Sequence, residues 1–201
     1  MKFNNVIGVG GLAGSGKDTF VNLLQAKIPN VKRFALADSL KAELNPTLIK
    51  LYNSDIFTCS RETKDILRPM LVAHGKVRRV LTNGRHWIDI LNEKITQCRK
   101  DNPDSLICIT DIRYDFFPKD EIYFVKEELN GILVHVSRFD WQGQKQAFFT
   151  PPNADEAEND PKLQAKANYK VIWPSARKVD GTPDFNSLNI YVEEFIKWLQ
   201  R

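Results

Sequence analysis

The residues best suited to chemistry lie near the start of the chain. Gly11-Leu12-Ala13-Gly14-Ser15-Gly16-Lys17-Asp18-Thr19 matches G-x-x-x-x-G-K, behind an apolar β-rich run and ahead of a segment with helical spacing. Glycines let backbone N–H groups turn inward against an anion. A helix opening near Gly16 aims its partial positive end at the same point, and Lys17 adds a full charge where the β- and γ-phosphates of a nucleotide would sit. This pattern predicts a loop that binds ATP through Gly11, Ala13, Gly14, Ser15, Gly16, Lys17, Asp18 and Thr19. The residue after the lysine is ordinarily Ser or Thr, whose hydroxyl holds Mg²⁺; here it is Asp18. A carboxylate beside phosphates is repelled unless a cation lies between them, so Asp18 is expected to act through Mg²⁺, directly or through water.

Such a loop fixes the nucleotide and leaves the reaction open. Three features point to phosphoryl transfer onto a small molecule. First, the apolar run SLICIT is followed by Asp111 and Arg113. In a parallel sheet, ligands bind beyond the strands' carboxyl ends. Asp111 is expected to hold Mg²⁺ or its water, and Arg113 to clamp a phosphate with its planar fork; a strand-end ion pair is the plainer alternative. Second, Lys64, Arg68, Lys76, Arg78, Arg79 and Arg85 fall within 22 positions, opposed only by Asp65. An acceptor that carries phosphate needs cations to approach ATP, and Arg68, Arg78 and Arg79 are the candidates; a solvated basic face is the alternative. Third, Lys41 follows FALADSL just after the second expected strand, where it faces either the cleft or solvent. His74, His86 and His135 are read as packing or locally hydrogen-bonded groups, because phosphoryl transfer needs little base catalysis. Trp87, Trp141, Trp173 and Trp198 are read as core or loop anchors.

These groups need elements to position them. Apolar runs predict strands over 3–10, 32–36, 105–110, 131–137 and 169–173, and helical spacing predicts helices over 16–28, 86–100, 118–130 and 186–200. A short helix capped by Asp38 or Ser39 is expected to stop at Asn45-Pro46. Around Ile66–His74 the helical spacing is interrupted by Pro69, which starts or kinks that helix, and Gly75 is expected to end it. Residues 139–168 are polar, with little periodicity before Pro161, and read as a mobile loop or lid. Continuous apolar strands alternating with helices indicate a parallel sheet covered on both faces.

Composition agrees with a globular chain and says little else. The 201 residues are 42% hydrophobic and 27% charged, with a formal net charge of +4. That balance permits an anionic ligand without demanding nucleic acid. Cys59, Cys98 and Cys108 lack metal-site spacing and read as small buried hydrophobes, which suits a reducing compartment. No run approaches a membrane span or a signal peptide's apolar stretch, so no membrane partner and a cytoplasmic location (host cytoplasm, if phage-encoded) are expected.

GLAGSGKDTF, FALADSLK, LRPMLVAHGKVRR followed by HWIDIL, TDIRY and GILVHVSR occur in this order along the chain. Over most of residues 5–175 the sequence resembles the bacteriophage-type deoxynucleoside monophosphate kinases, in the adenylate-kinase-like branch of P-loop proteins. Gly-Lys-Asp-Thr belongs to that pattern. The resemblance implies that Lys17 and the loop hold ATP, that Lys41, Arg68 and Arg79 approach the acceptor nucleotide, and that Arg113 and Arg138 approach the transferring phosphates. Gly75-Lys76-Val77 stands where the family usually has Gly-Thr-Asp/Glu, Trp173-Pro174 where an Asn often ends the late strand, and Asp155-Glu156-Ala157-Glu158 only loosely matches a His-x-Ser-Glu-like block.

The expectation is therefore an α/β chain with the three-layer P-loop NTPase fold: a five-stranded, mainly parallel sheet flanked by helices, with an acceptor-binding insertion at 45–85 and a lid at 139–168. Its reaction would be ATP + (d)NMP → ADP + (d)NDP with Mg²⁺, as a monomer or homodimer acting on small-molecule nucleotides. Lys17, Asp111, Arg113 and Arg138 would be its catalytic residues, a lid cation such as Lys145 alternating with Arg138, and Asp18 and Asp111 would hold the metal. The alternatives are a kinase for another phosphorylated metabolite of the dephospho-coenzyme A or phosphomevalonate type, a nucleic-acid-stimulated ATPase, and a silent nucleotide-binding protein.

Overall fold

The computed structural model describes residues 5–177, 182 and 184–201. Six strands form one sheet: β1 (Val6–Gly10), β2 (Val31–Phe34), β3 (Leu106–Ile112), β4 (Ile132–Gln142), β5 (Lys145–Phe148) and β6 (Tyr169–Pro174). Five of them run parallel in the order β2-β3-β1-β4-β6. The most buried strand, β1, lies at the centre, with Ile7 opposite Cys108 of β3 and Ile132 of β4. The sixth strand, β5, is antiparallel and pairs only with the outer end of β4, Gln142 facing Lys145. The parallel five-stranded sheet expected from the apolar runs is present, with that hairpin added to it.

Two layers of helices cover the sheet because its strands alternate their side chains between two apolar cores. Ile7 and Val9 enter the core closed by α1 (Lys17–Lys27) and α7 (Asn189–Leu199), with Phe20, Leu24, Trp173 and Phe195. Val6, Ile107 and Ile109 enter the other, closed by α4 (Arg85–Asp101), α5 (Glu121–Tyr123) with its wide continuation Phe124–Glu128, and α6 (Ala154–Lys166). The helices α2 (Leu36–Tyr52) and α3 (Arg61–Leu81) share a smaller cluster around Leu48, Ile56 and Leu67.

Several local expectations are corrected. Residues 3 and 4 of the first expected strand lie outside the described residues. Helix α2 does not stop at Asn45-Pro46 but runs through Pro46 to Tyr52. Proline's fixed φ is helical, and the lost amide bond is offset by burial of Leu48 and by Asn45 Oδ1, which accepts from Ile56 N at 2.9 Å. Helix α3 begins at the Ser60 cap and runs through both Pro69 and Gly75. Gly75 is an approach point rather than a terminus, since a Cβ there would lie 2.6 Å from Leu40 Cδ1 of α2. The helix expected over 118–130 is shorter and ends in a turn of i→i+5 geometry, Leu129 N donating to Phe124 O. The polar segment 139–168 is ordered into the β4–β5 hairpin and α6, which Asn153 caps. Among the described residues no helix is long and apolar enough to cross a membrane.

Candidate functional site

The glycine loop joins β1 to α1 at the carboxyl end of the central strand. Gly11, Gly14 and Gly16 all have positive φ. Gly11 and Gly16 have no space for a side chain either: a Cβ would meet Val136 O at 2.3 Å and the Trp173 ring at 2.7 Å. Trp173, expected as an anchor, braces the loop from β6 by donating Nε1–H to Ser15 O at 2.9 Å. Ser15 Oγ is buried inside the loop without a hydrogen-bond partner. A buried hydroxyl left unsatisfied is costly, and an oxyanion in the cradle would satisfy it.

Lys17 is 7% exposed and donates to Gly11 O and Leu12 O, each at 2.7 Å. Burial pulls its ammonium down to about 8, Arg113 adds to the shift, and Glu156, Asp18 and Asp111 oppose it. A cation whose hydrogen bonds among the described residues go to carbonyls is available to phosphate oxygens.

Asp18 follows in the first turn of α1, exposed, with Oδ1 accepting from Arg33 at 3.1 Å. Asp111 has a task that its sequence position did not indicate. Its oxygens accept from Leu36 N and Ala37 N, each at 2.8 Å, so it caps α2 from β3. Burial pushes its carboxyl above the usual range, against those two amide bonds. Each oxygen keeps a lone pair, so the donor set of Asp18 and Asp111 fits a hydrated Mg²⁺ rather than a protein-caged one. Among the described residues no group of three or more His, Cys, Asp or Glu side chains is arranged to hold a metal ion.

The loop opens into a cleft of about 460 Å³ that gathers Lys17, Asp18, Thr19, Lys41, Arg68, Asp111, Arg113 and Arg138. Residues up to 121 positions apart in the chain are thus brought to one place. Arg138 spans the entrance: Nε donates to Ser175 Oγ at 2.6 Å, Nη1 to Gly14 O at 3.3 Å, and the guanidinium stacks on Phe149 at 4.7 Å. Lys145 sits exposed in β5, outside the cleft lining.

A second cavity of about 310 Å³ lies against the first and shares Ala37, Lys41, Arg68, Asp111 and Arg113 with it. Leu36, Leu40, Leu71, Val72, Trp87 and Tyr114 make its remaining walls largely apolar. Arg68, tied among the described residues to Asp65 on its own helix at 2.6 Å, is exposed and lines both cavities. Two of the expected acceptor residues are held by carboxylates in the structure. Arg78 points elsewhere, donating to Glu43 at 2.7 Å in a cluster where His74 and His86 also bond Glu43. Arg79 borders the second cavity, yet its guanidinium is buried between Asp120 and Glu121 and stacks 3.9 Å from the Tyr114 ring centre. Its guanidinium is thus already paired with two carboxylates. The two histidines reach Glu43 from 31 and 43 positions away, rather than bonding within their own segment.

Two residues, Glu121 and Asp120, were not read from the sequence, and Glu156 was read only as part of a loosely matching acidic block. Glu121 is buried, pairs with Arg79 and accepts from Arg113 N and Tyr114 N at 2.6 and 3.0 Å. Burial pushes its carboxyl up to about 8, while Arg79 pulls it down. Asp120, which caps α5, binds the other side of Arg79. Glu156 of α6 reaches Ala13 N of the loop at 2.7 Å. Adjacent acids before an apolar run signal a helix start in sequence, but nothing local shows that they turn inward onto an arginine 41 and 42 residues away.

No family model matches the chain. No curated protein matches it. Among solved structures it is similar to a dephospho-CoA kinase from Campylobacter jejuni, at 14% identity and a TM-score of 0.47 over 97% of this chain and 96% of that one. It is also similar to a sugar kinase from Janibacter sp. HTCC2649, at 13% identity and a TM-score of 0.42 over 97% and 94% of the two chains. A shikimate kinase from Aquifex aeolicus vf5 has 14% identity and a TM-score of 0.41 over 97% and 96%. The chain itself is an α/β protein with a mostly parallel central sheet flanked by helices.

Proposed function

We propose that this protein is an ATP-dependent kinase that phosphorylates a phosphorylated small molecule, a (deoxy)nucleoside monophosphate being the acceptor. The observation that carries this reading is the shared wall. A glycine-loop cleft and a separate apolar cavity meet at Lys41, Arg68 and Arg113, so two anionic molecules would face each other across those cations. The apolar and aromatic walls of the second cavity suit a planar base, and Arg68 and Lys41 suit its phosphate. A third cavity of about 340 Å³, lined by Gly16, Thr19, Arg138, Trp173 and Pro174, extends from the loop and suits the base of the donor.

Catalysis in this reading is positioning and charge neutralisation. Loop amides, Ser15 Oγ and Lys17 hold the donor's phosphates. Arg113 and Arg138 approach the transferring group from two sides. Asp18 and Asp111 are the residues that would hold Mg²⁺, which when bound neutralises phosphate charge between donor and acceptor. The 139–168 segment acts as a lid through the β4–β5 hairpin and α6, excluding water that would otherwise accept the phosphoryl group.

The test is ADP release with ATP and a panel of (d)NMPs and other phosphorylated metabolites, against a Lys17→Ala blank. We expect turnover with at least one nucleoside monophosphate and a loss of about 10²–10³ in the variant. Turnover with none of the nucleotides above that blank overturns the acceptor assignment.

A further inference from the structure

The proposed reaction makes no use of Glu156, the residue that sits most intimately against the phosphate loop. Its Oε2 accepts from Ala13 N at 2.7 Å, and its Oε1 lies 3.4 Å from Arg113 Nη1. The residue is 9% exposed, and its charge acts on the Lys17 ammonium. Asn153 holds it in place, Oδ1 accepting from Glu156 N at 2.9 Å and Nδ2 donating to Glu156 Oε1 at 3.4 Å. One carboxylate thus engages an amide of the glycine loop and the Arg113 guanidinium, and its charge acts on Lys17. Those are the groups that the oxygens of a terminal phosphate would use.

The Ala13 N–H is a single donor, so a phosphate oxygen placed on it must displace the Glu156 carboxylate, and the same phosphate would draw on Arg113. The two anions repel at short range. We propose that Glu156 is a displaceable stand-in for the donor's terminal phosphate, holding Ala13 N–H and Arg113 in their working positions until the third phosphate takes them. This rests on the reading of the loop as the donor site. A triphosphate must compete with Glu156 for the loop amide and Arg113, whereas a diphosphate leaves the pair intact. Glu156 therefore weakens the binding of ATP relative to ADP, which limits idle occupancy and hydrolysis. The neighbouring Asp155 lines the second cavity, so the turn of α6 that carries Glu156 also borders that cavity.

The deciding quantity is the ratio of the ADP and β,γ-imido-ATP dissociation constants, measured by calorimetry with Mg²⁺ for the wild type and for Glu156→Gln. Glutamine keeps an acceptor for Ala13 N and the capping geometry while removing the charge. We expect the analogue to bind roughly tenfold tighter in the variant and ADP to change less than twofold, the size expected for one charge-assisted contact. Glu156→Asp, which keeps the charge and shortens the reach, is expected to give an intermediate ratio and decides the matter if the glutamine variant does not fold. Equal shifts for both nucleotides, or a weaker analogue in Glu156→Gln, overturn the role of Glu156 and leave the donor site standing. No binding of either nucleotide to the wild type overturns the donor-site reading itself.

Discussion

Two buried cations on opposite sides of the cleft show how surroundings decide the use of a charge. Lys17 and Arg79 are 7% and 8% exposed. Lys17 rests on backbone carbonyls of its own loop, and burial lowers its pKa. Arg79 is clamped by two carboxylates and an aromatic ring, and its pKa is raised because Glu121 and Asp120 outweigh the cost of burial. The first is strained toward an anion that would complete it. The second is complete already. Burial of a cation alone is therefore no sign of a binding role; the sign is the absence of a carboxylate partner.

The sharpest way to break this contrast is Arg79→Met. It would leave Asp120 and Glu121 buried without their cation, and we expect a loss of about 3–5 kcal/mol in stability by urea denaturation. Stability near wild type, with only the acceptor's KM raised, would return Arg79 to the acceptor site.

Lys17 predicts the opposite sign. Its folded pKa of about 8 lies below its ordinary 10.5. Below pH 8 both states are protonated and the cost of burying the charge is fully present. Between 8 and 10.5 the unfolded chain binds more protons, so stability rises with pH, by up to about 1.4 kcal/mol per unit. Lys17→Met should therefore be more stable than wild type at pH 7, with an advantage that shrinks as pH rises to 10.5. A difference in urea midpoints that stays flat over that range would remove the strain attributed to Lys17.

The smallest effect belongs to Arg68, exposed on α3 and tied among the described residues to Asp65. Arg68→Ala should leave stability within about 0.5 kcal/mol and raise the acceptor's KM roughly tenfold, with little change for ATP. Equal effects on both substrates in steady-state kinetics would place Arg68 outside the acceptor site.

The donor side was legible because its parts are contiguous. Gly11 through Thr19 carry the φ angles, the amides and the cation within nine residues, and the strand and helix that frame them are strongly patterned. The acceptor side was not. Arg78 and Arg79 are adjacent in a basic stretch, yet one turns to Glu43 and the other to Asp120 and Glu121. Pro46 and Gly75 read locally as helix ends and Pro69 as a start or a kink, whereas tertiary packing of Leu48 and Leu40 accompanies α2 and α3 running through them.

From residue types and spacing alone, the alternation of apolar strands with helices and the backbone geometry of the glycine loop were determined, because both follow from short-range sterics and periodicity. Tertiary structure alone decided which cations stay available, that Asp111 caps α2 from another strand, and that Glu156 reaches the loop from 143 residues away. The reason is electrostatic: a charge is neutralised by whatever the fold brings within a few ångströms, and sequence distance carries no trace of that.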